Sequence, residues 1–271
     1  MGAATADPEP MICKRRRIGM LEACLVLSMI ALLAQLFPEI RRAWHEWPVA
    51  GRLTPGHTNI ALRDLTCEIR YMVYLPLGYS SKKRWPLLLY LHGSGERGDD
   101  LDRVSKCGPN FHIGRGYGLP LIVVSPQCPK PQSWDTEQLL ALLDQVESRF
   151  SVDRERVYVA GFSMGGYGTW ELASAAPKRF AAIVPVAGGG RIETSSELAN
   201  LPIWAFHGDE DKTVPIEGTT KIIEAIQTAG GKPKLTIFPK TGHGIGNQVF
   251  SRTDVYDWLL RQRRSVKQPT N

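Results

Sequence analysis

Short apolar runs recur along the chain after residue 62, and amphipathic stretches separate most of them. Pro86–Leu91 (PLLLYL) is almost continuously apolar, which is typical of a strand buried on both faces of a parallel sheet. Glu68–Tyr79 alternates apolar and polar residues, as a strand with one buried face does. The other runs of strand length are Leu121–Ser125, Val157–Ala160, Ala181–Val186, Ile203–Phe206 and Leu235–Phe238.

The stretches between these runs have apolar residues at helical spacing. Asp135–Phe150 has this pattern, and Ile216–Ala229 ends at two glycines that are typical of a helix C-terminus. Two further helices are predicted, one from the glycine-rich turn after Val157–Ala160 up to Pro177, and one at Asp254–Arg261. Strands that alternate with helices predict the α/β class, with a mostly parallel, doubly wound sheet flanked by helices in a single domain.

The N-terminal segment has the pattern of a targeting signal. Four basic residues, Lys14–Arg17, precede an apolar run from about Ala23 to Phe37. This order is typical of an export signal or an uncleaved membrane anchor, so residues 1–37 predict an exported or membrane-anchored protein, with membrane association through residues 20–37. The run is short beside the roughly 20 residues of a spanning helix. An amphipathic or irrelevant extension on a cytoplasmic protein therefore remains the alternative.

The composition of the remaining residues indicates a linker, a catalytic domain and a tail, and the distribution of charge argues against a nucleic acid partner. Residues 38–62 are rich in proline and glycine and predict a linker, residues 63–265 the catalytic domain, and residues 266–271 a tail. The net charge of the 271 residues is +6, but four of the basic residues lie after Leu260. Because the basic balance comes from this short C-terminal stretch, we expect no nucleic acid partner.

The five cysteines give no sign of a metal site. They are Cys13, Cys24, Cys67, Cys107 and Cys128, and no two of them form a C-x-x-C pair, so neither a zinc ribbon nor a redox motif is indicated. A disulfide between Cys107 and Cys128 is conceivable if the domain is exported.

One turn between a predicted strand and a predicted helix has candidate chemistry. The segment Val157–Trp170 (VYVAGFSMGGYGTW) contains G-x-S-x-G, with Ser163 in the serine position. A serine between glycines can simply belong to a turn, but strand, sharp turn and helix are the context of a nucleophile elbow. In that context Ser163 is the nucleophile, and the backbone N–H of Met164 donates to the oxyanion.

A serine nucleophile needs a general base, and the base needs an orienting acid. Asp209 and Asp211 follow the run Ile203–Phe206, and His243 follows Leu235–Phe238. The order serine, acid, histidine is the order of the elbow fold.

A second oxyanion donor is expected from the loop after Pro86–Leu91, which reads HGSGERGDD. Gly93 or Ser94 supplies it in this interpretation. Arg97-Gly98-Asp99 in the same loop also spells an adhesion tripeptide, but its position beside the predicted catalytic centre explains it better.

Together these segments resemble the α/β-hydrolase superfamily. They are similar in particular to its predicted-peptidase branch, close to polyhydroxybutyrate-depolymerase-like and feruloyl-esterase-like esterases and to dienelactone hydrolases. The matching pieces, spread from about Arg70 to Arg264, are YLPLGY, LHGSGERGDD, IVVSPQCP, VYVAGFSMGGYGTWELA, FAAIVPVAGGG, HGDEDKTVP, GH and WLLRQRR.

The resemblance also selects the acid and marks one departure. The family pattern H-G-x-x-D-x-x-V-P falls on His207, Gly208, Asp211, Val214 and Pro215, which favours Asp211 over Asp209. The family leads us to expect an aromatic residue soon after the catalytic histidine, whereas this chain reads HGIGNQVF.

The implied function is hydrolysis of carboxylic esters through Ser163, His243 and Asp211, with an acyl-enzyme intermediate and no cofactor or metal. Gln127 and Trp134 follow the third strand and are candidates for the pocket lining of a small-molecule or polymer-derived ester, with a structural role as the favoured alternative for each. A serine peptidase acting on short peptides is the alternative within the same chemistry. A non-catalytic binding module on the hydrolase fold is the alternative from another class.

Overall fold

The computed structural model describes residues 56–58 and 69–264, and in this part of the chain eight strands form one sheet. The strand order is β1-β2-β4-β3-β5-β6-β7-β8; β1 and β2 pair antiparallel to their neighbours and the other pairs are parallel. The strands are β1 Gly56–Thr58, β2 Tyr71–Leu75, β3 Trp85–Leu91, β4 Ile122–Pro126, β5 Val152–Phe162, β6 Ala182–Val186, β7 Trp204–Gly208 and β8 Lys234–Phe238.

Helices connect the strands, and the mostly parallel α/β fold predicted from the sequence is confirmed. The α-helices of the described residues are α1 Asp102–Ser105, α2 Gly108–Ile113, α3 Thr136–Arg149, α4 Met164–Ala175, α5 Ser195–Leu198, α6 Glu217–Thr228, α7 Gly246–Phe250 and α8 Thr253–Arg261. Short 3₁₀ helices lie at Ser94–Glu96, Pro177–Arg179 and Ile192–Thr194.

The apolar runs form the centre of the sheet for the reason that the pattern indicates. All seven residues of β3 are buried, as are all five of β4, so these strands are covered on both faces. The predicted helix Asp135–Phe150 is α3, and it begins where the side chain of Asp135 accepts a hydrogen bond from the N–H of Gln138, at 2.8 Å.

The elements that the sequence analysis missed are polar or very short. β5 begins at Val152, five residues before the apolar run, where Val152 pairs with Trp85 of β3, and ion pairs lie along its polar start. Asp153 there lies 2.7 Å from Arg156 and 3.1 Å from Arg263. Strand β1 falls inside residues 38–62, the range predicted as a linker, so the sheet starts earlier than the predicted domain boundary.

The predictions on membrane segments, metal sites and disulfides concern residues that the structure describes only in part. Within them no helix is long and apolar enough to cross a membrane, and no three His, Cys, Asp or Glu side chains are grouped so as to hold a metal ion. The predicted signal or anchor at residues 20–37 lies outside the described residues, as does the tail at 266–271. Cys107 and Cys128, for which a disulfide was conceivable, are both free thiols.

Candidate active site

Ser163 stands at a sharp turn between β5 and α4, with φ of 57° and ψ of −117°. Its N–H donates to the carbonyl of Val186 at 2.9 Å, which fixes the turn to the end of β6. A side chain is impossible at the two flanking glycines. A Cβ on Gly161 would lie 2.3 Å from the carbonyl oxygen of Gly165, and one on Gly165 would lie 1.9 Å from that of Leu91. This close approach of strand and helix lets the backbone present Ser163 at the end of the strand.

His243 lies in the loop after β8 and contacts both Ser163 and Asp211. Its Nε2 is 2.8 Å from Ser163 Oγ, and its Nδ1 is 2.7 Å from Asp211 Oδ2. A neutral imidazole that donates from Nδ1 to the carboxylate has its lone pair on Nε2, where it can accept the hydroxyl proton. The three predicted residues therefore form one hydrogen-bonded line.

Asp211, and not Asp209, is the carboxylate against His243. The side chain of Asp211 is fully buried, and its Oδ1 accepts the N–H groups of Thr213 and Val214 at 2.9 Å each. Burial opposes ionisation of Asp211, but these hydrogen bonds and the one from His243 outweigh it and lower the pKa of the carboxyl. Asp209 is exposed and accepts the N–H of Thr241 at 3.2 Å.

His207 also supports the acid, a role that the sequence analysis did not assign. This side chain is completely buried, and its Nε2 lies 2.9 Å from the carbonyl of Val214 and 3.4 Å from Asp211 Oδ2. Its Nδ1 is hydrogen-bonded to the hydroxyl of Thr219 at 2.8 Å. The histidine of the H-G-x-x-D pattern was the available signal, since it ties the end of β7 to the loop that presents Asp211.

Two predicted oxyanion donors adjoin the nucleophile from different elements. In α4 the first hydrogen bond within the helix runs from the N–H of Tyr167 to the carbonyl of Ser163, at 3.0 Å. The N–H of Met164 comes before this bond and has no acceptor within the helix. On the other side, a Cβ on Gly93 would lie 3.5 Å from the ring of Phe162, the residue before Ser163. Ser94 follows Gly93 and is exposed.

Phe162 supplies an aromatic ring beside the imidazole of His243. Its ring lies over the imidazole of His243, with ring centroids 5.0 Å apart and planes tilted by 36°. A Cβ on Gly246 would come within 2.9 Å of that ring. Glycine at position 246 thus leaves room for the ring of Phe162, which comes from the end of β5.

Gln127 and Trp134, the candidates for the pocket lining, both donate hydrogen bonds to the loop after β3, and for Gln127 these contacts favour the structural role. Gln127 is only 2% exposed because its amide is turned inward, to the carbonyls of the loop after β3. Trp134 is partly buried and donates from Nε1 to the carbonyl of His92 at 3.2 Å. Its ring meets the imidazole of His92 edge to face, and a Cβ on Gly168 would come within 2.8 Å of it.

Residues 129–257 match the model of a family described as the Dienelactone hydrolase family. A relative, the probable feruloyl esterase C of Aspergillus terreus, is 27% identical over 201 residues, which cover 71% of this chain and 71% of that protein. A solved structure of a thermostable esterase is 28% identical with a TM-score of 0.64, covering 75% of this chain and 62% of its own. An acylaminoacyl peptidase, 16% identical with a TM-score of 0.54, covers 80% of this chain and 43% of its own, and shows the fold alone.

Fold and relatives together define the class: the chain is a hydrolase with the α/β-hydrolase fold. Within that class, residues 129–257 are similar to the dienelactone hydrolase family.

Proposed function

We propose that this hydrolase cleaves carboxylic esters with Ser163 as nucleophile, His243 as general base and Asp211 as orienting acid. The observation that supports the proposal most is the continuous line of hydrogen bonds from Asp211 through His243 to Ser163, at 2.7 and 2.8 Å. Each residue sits at the end of a strand or in the loop after it, where the elbow fold places its catalytic groups.

In the proposed reaction Ser163 Oγ attacks the ester carbonyl while His243 Nε2 takes the hydroxyl proton. The N–H of Met164, with that of Gly93 or Ser94, stabilises the negative oxygen of the tetrahedral intermediate. His243 then protonates the leaving alcohol, and the acyl group stays on Ser163. Water, activated by the same imidazole, attacks the acyl-enzyme and releases the acid. The buried carboxylate of Asp211 stabilises the charged imidazole in both halves of the cycle.

The substrate class is proposed from the relatives. The similar proteins at 27–28% identity are named a feruloyl esterase and an esterase, which favours an ester over an amide bond. The same chemistry also suits short peptides, so amide hydrolysis is the alternative that the experiment must test. We further propose that residues 1–37 export the enzyme or anchor it in a membrane, because a basic cluster precedes their apolar run.

Labelling with a fluorophosphonate probe tests the nucleophile. The probe reacts with activated serines, so we expect one modified peptide containing Ser163 in the wild type and none in Ser163→Ala. Ser148→Ala is a matched control, because Ser148 is exposed on α3 and its hydroxyl bonds to the carbonyl of Gln145. Labelling that survives in Ser163→Ala would contradict the assignment.

Turnover measurements test the bond that is cleaved. A panel of p-nitrophenyl esters and a panel of aminoacyl p-nitroanilides should be assayed with the same enzyme preparation. We expect turnover of the esters and little of the anilides. Preference for the anilides would favour the peptidase alternative, and labelled Ser163 without turnover of either panel would leave the ester assignment without support.

A further inference from the structure

Two loops beside the candidate site are joined to each other by hydrogen bonds. The oxyanion loop, residues 92–100, follows β3 and contains both candidates for the second oxyanion donor, Gly93 and Ser94. The bracing loop, residues 127–134, follows the neighbouring strand β4. The N–H of Gly98 donates to the carbonyl of Cys128 at 3.0 Å, and the N–H of Cys128 donates to Nε2 of His92, also at 3.0 Å. One residue of the bracing loop thus holds both ends of the oxyanion loop.

Gln127 connects two backbone carbonyls in the second half of the oxyanion loop. Its Nε2 donates to the carbonyl of Glu96 at 2.8 Å and to that of Asp100 at 2.7 Å. The amide orientation is determined by these contacts, since the opposite orientation would put Oε1 against two carbonyl oxygens. A single buried NH₂ group therefore bridges two backbone positions four residues apart.

Arg97 connects the first half of the oxyanion loop, which includes Ser94, to the bracing loop. Its Nε donates to the carbonyl of Ser94 at 3.1 Å, and its Nη1 donates to the carbonyls of Pro131 and Gln132 at 3.0 and 3.2 Å. The planar guanidinium keeps these donors at fixed angles, so it links the peptide after Ser94 rigidly to the bracing loop. The arginine of the Arg97-Gly98-Asp99 tripeptide is thus engaged within the protein.

The oxyanion loop is rich in glycine, so its shape depends on the groups that bond to it. It contains glycines at positions 93, 95 and 98, and Gly98 has φ of +142°. Glycine has more backbone freedom than any other residue, so a glycine-rich segment loses more conformational entropy on ordering than a segment of the same length without glycine. An oxyanion donor is effective only when it lies about 2.7–3.1 Å from the developing charge, and a displacement of 1 Å can cost about 100-fold in rate.

We propose that Gln127 and Arg97 are positioning residues that hold the N–H groups of Gly93 and Ser94 where the oxyanion forms. The inference rests on the proposed function, because it concerns the second donor of that same site. Gln127 acts from a buried position and Arg97 from a half-buried one, and neither side chain needs to touch the substrate.

The test uses Gln127→Met and Arg97→Met in the full chain, with kcat and KM for a p-nitrophenyl ester and the Ki of a trifluoromethyl ketone. The ketone adds to an activated serine and places a negative oxygen in the oxyanion site. We expect kcat to fall roughly 10- to 100-fold, less than the loss of a whole donor, while KM stays within about threefold. The Ki of the ketone should rise in proportion to the loss of kcat/KM, which a loss of folded protein alone would not produce.

Gln227→Met and Arg84→Met are the matched controls, because both side chains are exposed and lie outside the two loops. They should leave kcat and Ki unchanged. If Gln127→Met does not fold, Arg97→Met decides by the same criteria, and Arg97→Lys should recover part of the loss because one ammonium can still reach a carbonyl.

If the wild type is active and the variants keep the wild-type kcat or the wild-type Ki, this inference is wrong and the proposed function still stands. Wild-type protein that neither hydrolyses esters nor binds the ketone overturns the proposed function and this inference with it.

Discussion

Ser163 adopts a backbone conformation that L-residues with a side chain rarely adopt, since its φ is +57°. The strain of such a residue is of the order of 1–3 kcal/mol, and glycine avoids most of it. Ser163→Gly and Ser163→Ala should both lose turnover, but the glycine variant should be the more stable of the two by about 1 kcal/mol. Urea unfolding of both variants measures this. Equal free energies of unfolding would show that the turn is not strained.

Asp211→Asn should reduce ester turnover by roughly 10⁴-fold, because an amide cannot hold the required tautomer of His243 or stabilise its charged form. Asp209→Asn is the control, since Asp209 is exposed and bonds to the N–H of Thr241 instead of the imidazole. Its turnover should stay close to that of the wild type. The assay is kcat/KM on one ester for both variants, and the opposite ranking would assign the acid to Asp209.

His92 predicts how stability depends on pH. Burial lowers its pKa from 6.5 to about 4, and the N–H of Cys128 donates to its Nε2, so the folded protein holds it neutral. Between pH 6.5 and about 4 the unfolded chain takes up a proton that the folded chain does not. Stability therefore falls as pH is lowered through this window, by roughly 3 kcal/mol from this residue, and no further below it.

The free energy of unfolding, measured by urea at several pH values, tests the prediction for His92. His92→Gln can still accept the N–H of Cys128 but does not titrate, so its stability should depend less on pH between 4 and 6.5. The difference between the two curves removes the contributions of the other titrating groups. Parallel curves for the variant and the wild type would contradict the prediction.

At the scale of elements, the contact between α4 and β3 leaves no space for a methyl group. A Cβ on Gly165 would lie 1.9 Å from the carbonyl oxygen of Leu91, so Gly165→Ala should destabilise the fold by roughly 1–3 kcal/mol or more and displace Ser163. Gly244→Ala is the control, because a Cβ there meets nothing within 4 Å. Thermal unfolding of both variants gives the comparison. A wild-type melting temperature for Gly165→Ala would show that helix and strand are less closely packed.

The longer elements could be predicted because burial leaves a pattern in the residues themselves. Both faces of β3 are covered, so its run is apolar, and α3 has a capping residue before its first turn. The start of β5 could not be predicted, because Asp153 is stabilised by Arg263, which is 110 residues away in the chain. The short helices α1, α2 and α7 have too few residues to show a period.

At the scale of the whole molecule, the candidate triad was predictable because it depends on chain order. In a parallel sheet the carboxyl ends of the strands meet at one edge, so Ser163, Asp211 and His243 converge from three separate loops. The role of Gln127 could not be decided from the sequence, because a glutamine after a strand looks the same whether its amide faces solvent or a neighbouring loop. Only the packing of the two loops decides that it is buried.

The cellular location is also a property of the whole chain. We expect the full-length protein in the membrane or exported fraction of expressing cells, since residues 1–37 have the order of an export signal or anchor. A variant without residues 1–37 should remain in the cytosol and keep its ester hydrolysis. Full-length, uncleaved protein in the cytosolic fraction would show that the segment is neither signal nor anchor.

Strand β1 stands at the edge of the sheet, away from β5, the strand that ends next to Ser163. It is three residues long and pairs with β2, and β2 and β4 both lie between it and β3. A mechanical load applied through the chain before Gly56 would therefore peel β1 away first, one residue pair at a time, while β3 and β5 stay paired. Such a load would separate β1 from β2 and leave Ser163, Asp211 and His243 in place.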